Sequence, residues 1–244
     1  MTAHSVSSTE KNDERIHISE TYCRPLGDRI GNPAPLAMGG FATTLLSVSL
    51  AMMGFRGVSL QTQFIGDLCF VACIGLLISA QWAMIKGDTF SYTVLTAFAL
   101  FYGGYGATLL PSWGIIDAYG GIQTPQYNNA LGFFVLIWAV FNLFFLIASI
   151  QLSNVVYICI FICIELCLIF DASSYFALAD GHPAQSTALM KAGGVFGFIA
   201  GLLGFYTVGF YLCQDVLPFT IPMGDTSAWF QARRERKKLE ASSA

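Results

Sequence analysis

Six runs of mostly apolar residues punctuate the chain, at roughly 34–53, 64–85, 90–110, 129–149, 153–177 and 189–213. A bilayer-crossing helix needs about 20 such residues, so each run predicts one membrane span. Continuous hydrophobicity over this length excludes a β-barrel, whose strands are about ten residues of alternating character. The first run follows a polar stretch, so it does not read as a cleavable secretory signal. The pattern predicts an all-α membrane protein with six transmembrane helices, and an even number of spans places both termini on one side. Residues 1–31, polar and rich in Ser and Thr, read as a largely disordered N-terminal tail. Residues 32–214 form the six-helix domain, and 215–244 form a basic C-terminal tail.

Charge sharpens this picture. Only 11% of the 244 residues are Asp, Glu, Lys or Arg, less than half the share in a soluble domain. Nine charges lie in 1–31 and eight in 225–240, leaving ten for everything between. Such a middle cannot be solvated as a globular surface, which excludes an ordinary soluble enzyme and a nucleic-acid binder. The basic residues also set the orientation. With termini inside, Lys11, Arg15, Arg24, Arg29, Lys86 and the run from Arg233 to Lys238 are cytoplasmic, and only Arg56 and Lys191 lie outside. Positive residues stay inside, so both ends are cytoplasmic. The loop at about 111–128, with Pro111 and Pro125, then faces outward.

Small residues are positioned along the spans. Gly193, Gly197 and Gly201 recur every four residues on the last run, Gly39 and Gly40 sit with Thr43, Thr44 and Ser47 on the first, and Gly103 and Ala107 repeat the spacing on the third. Close backbone approach over small residues drives helix association in lipid, so these stripes predict tight helix contacts. The seven cysteines contain no CxxC pair and the three histidines fall outside the spans. No convergent metal set is visible; cysteine reads as small apolar filler, and neither a metal nor a cofactor is expected. Glu165 is the deepest ionisable residue, inside the run Ile158–Phe170. It reads equally as a proton-linked pathway residue or as a group hydrogen-bonded across an interhelical or subunit contact. Asp171 lies nearer the outer interface. No nucleophile elbow, zincin motif or Walker loop is present, so the chain does not read as an enzyme or an ATP-driven pump.

The most informative segment is Asn32-Pro33-Ala34-Pro35-Leu36-Ala37-Met38-Gly39-Gly40-Phe41. Asn at the N-cap and Pro in the first turn predict a helix start. Its remaining N–H groups and the positive end of the helix dipole suit a small carboxylate. Thr43, Thr44 and Asn142 supply further neutral donors along the spans. The segment resembles the N-P-[AV]-P-[LF]-G-L signature of the acetate uptake transporter family, which includes bacterial succinate–acetate permeases and fungal acetate/ammonia transport proteins. Lys86-Gly87-Asp88-Thr89-Phe90, Trp113-Gly114-Ile115-Ile116-Asp117-Ala118-Tyr119, Asn129-Ala130-Leu131-Gly132-Phe133 and Ala192-Gly193-Gly194-Val195 extend the likeness to the fungal branch over most of 32–210.

That resemblance implies six helices per subunit, a ring-shaped homo-oligomer that is hexameric in the bacterial members, and a pathway in each subunit. It also implies a narrow apolar constriction, mapped here onto Phe41, Phe98 and, by gapless counting through the fifth span, Cys163. The chain departs from the pattern at Ala37-Met38 and at Trp82-Ala83. The expected function is plasma-membrane transport of acetate or a related monocarboxylate together with a proton. An ammonia or ammonium export channel and a non-transporting membrane sensor are the alternative readings.

Overall fold

The computed structural model describes residues 30–58, 60–150, 154–214, 216–219 and 221–225. The expectations for residues 1–29 and 226–244, including most of the basic residues that set the orientation, lie outside the described residues. Six long helices follow one another, numbered here in chain order: α1 (Ala34–Met52), α2 (Thr62–Ile85), α3 (Thr89–Thr108), α4 (Pro125–Ser149), α5 (Val155–Ala179) and α6 (Pro183–Cys213). All but α3 are long and apolar enough to cross a membrane. The 20-residue α3 carries no charge, but its four threonines, three tyrosines and three glycines dilute its hydropathy. A 3-10 turn at Pro111–Trp113 and a single helical turn at Ile115–Ala118 occupy the α3–α4 loop.

Local chemistry fixes the helix ends. Proline stands in the first turn of α1, α4 and α6, where its missing N–H and fixed φ cost nothing. α4 and α6 therefore start at Pro125 and Pro183, not near 129 and 189, because each helix extends past its apolar run into a polar first turn. Asp88 and Asn154 cap α3 and α5, their Oδ1 atoms accepting the N–H groups of Ser91 at 2.9 Å and Tyr157 at 3.2 Å. The α2–α3 turn is a Schellman closure. The Asp88 N–H donates to the Ala83 carbonyl at 3.0 Å and the Gly87 N–H to that of Met84 at 3.0 Å. This requires a left-handed residue, and Gly87 has φ +79°. Gly181 (φ +81°) closes α5 the same way, with the His182 N–H on the Ala177 carbonyl at 2.9 Å. In α2, Asp67–Ile74 is π-helical before the α-helix Gly75–Ile85 resumes.

The predicted glycine stripe packs α6 onto α1 and α5. A Cβ at Gly197 would lie 2.5 Å from Ser49 Oγ and 3.2 Å from Cys167 Sγ; one at Gly201 would lie 2.6 Å from Leu46 Cγ. At Gly204 it would meet Ala42 and the Phe41 ring at 3.0 Å. On α3, Gly103 and Gly106 receive the thiols of Cys73 and Cys69, each 2.7 Å from the Cβ that glycine lacks. Of the glycine pair on α1, Gly40 abuts the Val71 carbonyl of α2 while Gly39 has open space around it. Leu68, Leu76 and Val135 are among the most buried side chains. Phe70, Phe133, Ile137 and Phe144 stand exposed on the outer faces of α2 and α4. A helix that is apolar all round suits lipid.

After α6 the chain turns back. The Val155 N–H donates to the Gly224 carbonyl at 3.0 Å, Asn154 forms an antiparallel bridge with Asp225, and the Tyr206 hydroxyl donates to the Pro222 carbonyl. The beginning of the predicted C-terminal tail is thus fastened across the α4–α5 connection.

Candidate functional site

The start of α1 forms one wall of the site, and its hydrogen bonds are largely spent internally. Pro33 occupies the N-cap, one position later than the Asn expected there, yet Asn32 Oδ1 still accepts the Ala34 N–H at 3.0 Å. Pro33 and Pro35 have no N–H, and the Ala37 N–H donates to the Pro33 carbonyl at 3.3 Å. Of the first-turn donors, only Leu36 has no protein acceptor among the described residues. The outward fan of N–H groups expected from sequence is therefore reduced to one.

Beside this helix start opens a cavity of about 330 Å³. Its polar wall is made by Asn32, Lys86, Asp88, Ser91, Asn154, Tyr157 and Tyr211, which come from the α1 start, the α2–α3 junction, the α5 start and the end of α6. Asp88 holds Ser91 through the Ser91 Oγ at 2.6 Å, and the hydroxyls of Tyr157 and Tyr211 meet at 3.3 Å. Lys86 is the one cation among the lining residues and is exposed. The opposite end is apolar, lined by Met38, Phe41, Leu76, Val94, Phe98, Ile160 and Ile164.

A second, smaller cavity of about 50 Å³ lies beyond. Three side chains line both: Phe41 of α1, Phe98 of α3 and Ile164 of α5. They are 5%, 8% and 6% exposed and form the wall that the two cavities share. The far cavity adds Gln61, Tyr102, Tyr105, Cys167 and Asp171 to an apolar lining. Tyr105 donates to Gln61 Oε1 at 2.6 Å, and its hydroxyl lies 3.1 Å from that of Tyr175. The Asp171 Oδ1 atom is buried without a hydrogen-bond partner.

The structure brings some of the sequence candidates together and separates others. Asn32, Pro33, Ala34, Phe41 and Phe98 line the larger cavity; Pro35 does not. Thr43 is exposed, and Thr44 is fully buried with its hydroxyl donating to the Asp67 carbonyl at 3.2 Å. Asn142 lines neither cavity. Its Nδ2 donates to Glu165 Oε2 at 2.8 Å and to the Phe161 carbonyl at 3.3 Å, which ties α4 to α5. Cys163 also lines neither cavity, because one helical residue is about a 100° rotation and Ile164 holds the inward position. The gapless count through α5 falls one residue short of that face. Among the described residues no group of three or more His, Cys, Asp or Glu side chains gathers to hold a metal, and six of the cysteines are free thiols.

Sequence reasoning passed over Lys86, Asp88, Ser91, Asn154, Tyr157 and Tyr211 at the mouth, and Gln61, Tyr102, Tyr105 and Tyr175 at the far side. One signal was available. Lys86-Gly87-Asp88-Thr89-Phe90 is a helix stop fused to a helix cap, and such a junction concentrates polar groups where two spans emerge.

Residues 18–223 match the model of the GPR1/FUN34/yaaH family. A protein named acetate transporter protein patA from Penicillium expansum is 40% identical over 210 residues, covering 86% of this chain and 83% of that one. The ammonia transport outward protein 2 of Saccharomyces cerevisiae is 28% identical, with 81% and 69% covered. Among solved structures, the bacterial acetate channel SatP aligns with a TM-score of 0.66 at 24% identity, covering 80% of this chain and 99% of that one. That likeness is one of fold.

Proposed function

The chain belongs to the GPR1/FUN34/yaaH family, and from that premise we propose that it carries acetate or a related short monocarboxylate across the plasma membrane together with a proton. The observation that carries this reading is the pair of cavities that share Phe41, Phe98 and Ile164 as lining residues. The relatives named acetate transporters support the choice of substrate. All six helices cross the membrane in this reading, α3 included, with both termini in the cytoplasm and the larger cavity opening there. Protomers assemble as a homo-hexameric ring, each with its own path.

Each part of the path has a chemical task. At the cytoplasmic mouth Lys86 raises the local concentration of anions, while Asn32, Ser91 and the Tyr157 and Tyr211 hydroxyls offer neutral donors, so the carboxylate is held and released without a buried charge. The positive end of the α1 dipole, which meets the cavity at Asn32, Pro33 and Ala34, adds a weak attraction. Phe41, Phe98 and Ile164, in place of Cys163, form a dry constriction that rejects hydrated ions and passes a small, largely dehydrated acid. Thr44 and Asn142 support the helices around the path. Glu165 belongs to the α4–α5 contact with Asn142.

Reconstituted liposomes test the reading. Uptake of labelled acetate is expected to saturate, to accelerate as the outside is acidified, to collapse with an uncoupler, and to be blocked by excess propionate and not by ammonium. Uptake indifferent to pH and uncoupler removes the proton. Block by ammonium and not by propionate favours the second reading, ammonia or ammonium export, which the yeast relative's name supports.

A further inference from the structure

The cavity beyond the constriction contains a carboxylate for which monocarboxylate binding alone gives no use. Asp171 sits on the face of α5 that carries Ile164, Cys167, Leu168 and Tyr175, at the helical spacings that share one side. This is the face lining the path. Its Oδ1 is buried and without a hydrogen-bond partner, an arrangement costing several kcal/mol for the ionised group inside a membrane protein unless water reaches it, and costly groups of this kind mark ion and proton pathways. The cavity of about 50 Å³ has room for about three to five waters, at roughly 10–15 Å³ each.

No cation faces this site among the described residues. The titratable groups around it are Tyr102 and Tyr105 of α3, Tyr127 of α4, and Cys167 and Tyr175 of α5. α1 contributes Val48 and Met52, α2 contributes Gln61 and Leu68, and α6 meets this turn of α5 through Gly193. Arg56 and Lys191 are exposed at the surface. Tyr105 is held by Gln61 and Tyr175, so the hydroxyls are fixed while the carboxylate is left open to the cavity. Glu165, the other carboxyl on α5, is only partly buried, is engaged by Asn142 and lines no cavity.

We infer that Asp171 is the proton carrier of transport. A hydronium in the outer cavity gives its proton to the Asp171 carboxylate and leaves water. An arriving carboxylate substrate takes that proton, its O–H bond forming as that of Asp171 breaks. The neutral acid then crosses Phe41, Phe98 and Ile164 and loses the proton to water in the larger cavity. This rests on the monocarboxylate reading above, and explains how an apolar constriction passes what is an anion on both sides.

The test uses full-length protein in liposomes, with labelled acetate and protein-free vesicles as the leak control. Asp171→Asn keeps shape and removes the exchangeable proton. It is expected to cut uptake at acidic external pH at least tenfold and to flatten the pH profile, whereas Asp171→Glu restores a rising profile and Glu165→Gln keeps the wild-type one. An Asp171→Asn protein with the wild-type pH profile, whatever its absolute rate, overturns the assignment. Infrared difference spectra of the substrate-free protein give a readout independent of transport. A titrating carboxyl band lost in Asp171→Asn and kept in Glu165→Gln supports the carrier, and a spectrum unchanged by Asp171→Asn or Asp171→Glu refutes it. Absence of acetate uptake by the wild type, with the band present, defeats the substrate reading and leaves the proton site standing.

Discussion

Two neighbouring glycines on α1 are chemically equal in the sequence and unequal in the fold. A methyl at Gly40 would come within 2.8 Å of the Val71 backbone carbonyl, whereas one at Gly39 meets nothing within 4 Å. Gly40→Ala is therefore expected to destabilise the detergent-solubilised protein by about 1–3 kcal/mol through overpacking. Gly39→Ala should be neutral or add about 0.5–1 kcal/mol by removing backbone freedom. Thermal unfolding of the two variants measures the difference, and equal shifts would contradict the packing. The place of Phe41 and Phe98 on the cavity wall was legible at this scale because a short motif anchors one and a nearby motif the other. Ile164 was not, since counting through the uninterrupted apolar run of α5 has no marker to fix the helical phase. Thr43 and Thr44 illustrate the converse. Their polarity was legible, but one hydroxyl is spent on a backbone carbonyl and the other side chain faces outward.

At the scale of elements, α5 carries two kinds of polar group on two faces. Asp171 lines the smaller cavity with Tyr175 one turn on beside Tyr105, and Glu165 faces α4, where Asn142 donates to it. Removing the donor leaves a carboxyl with no protein partner, so Asn142→Ala is expected to cost about 1–3 kcal/mol, while Glu165→Gln preserves an acceptor and should be nearly neutral. Chemical or thermal unfolding of both variants checks this, and a stable Asn142→Ala protein would show that Glu165 is satisfied otherwise. The sequence left both readings of Glu165 open because depth in a span does not reveal which neighbour a side chain meets. Element existence was legible throughout, since 20-residue apolar runs are long signals. The ends of α4 and α6 were less so, because hydropathy stops at the apolar core while Pro125 and Pro183 start each helix a full turn or more earlier.

For the whole molecule, the proposed route runs from a polar mouth through a three-residue constriction to an outer chamber within a helical protein of the GPR1/FUN34/yaaH family. In the proposed hexamer the large apolar side chains exposed on α2 and α4 face lipid or neighbouring protomers, and a detergent-corrected mass six times that of one chain is the expected result of light scattering. The polar mouth was hardest to foresee, because its residues come from five separate helix ends that only the fold gathers. The most direct test of the route is labelled acetate and butyrate uptake by wild-type protein, Phe41→Ala and Phe98→Ala in liposomes, with each variant confirmed as folded by gel filtration. Widening the constriction is expected to raise butyrate uptake relative to acetate by about tenfold, the scale at which a tight pocket discriminates small size differences. Wild-type rates and selectivity in both variants would show that the substrate does not pass between Phe41, Phe98 and Ile164.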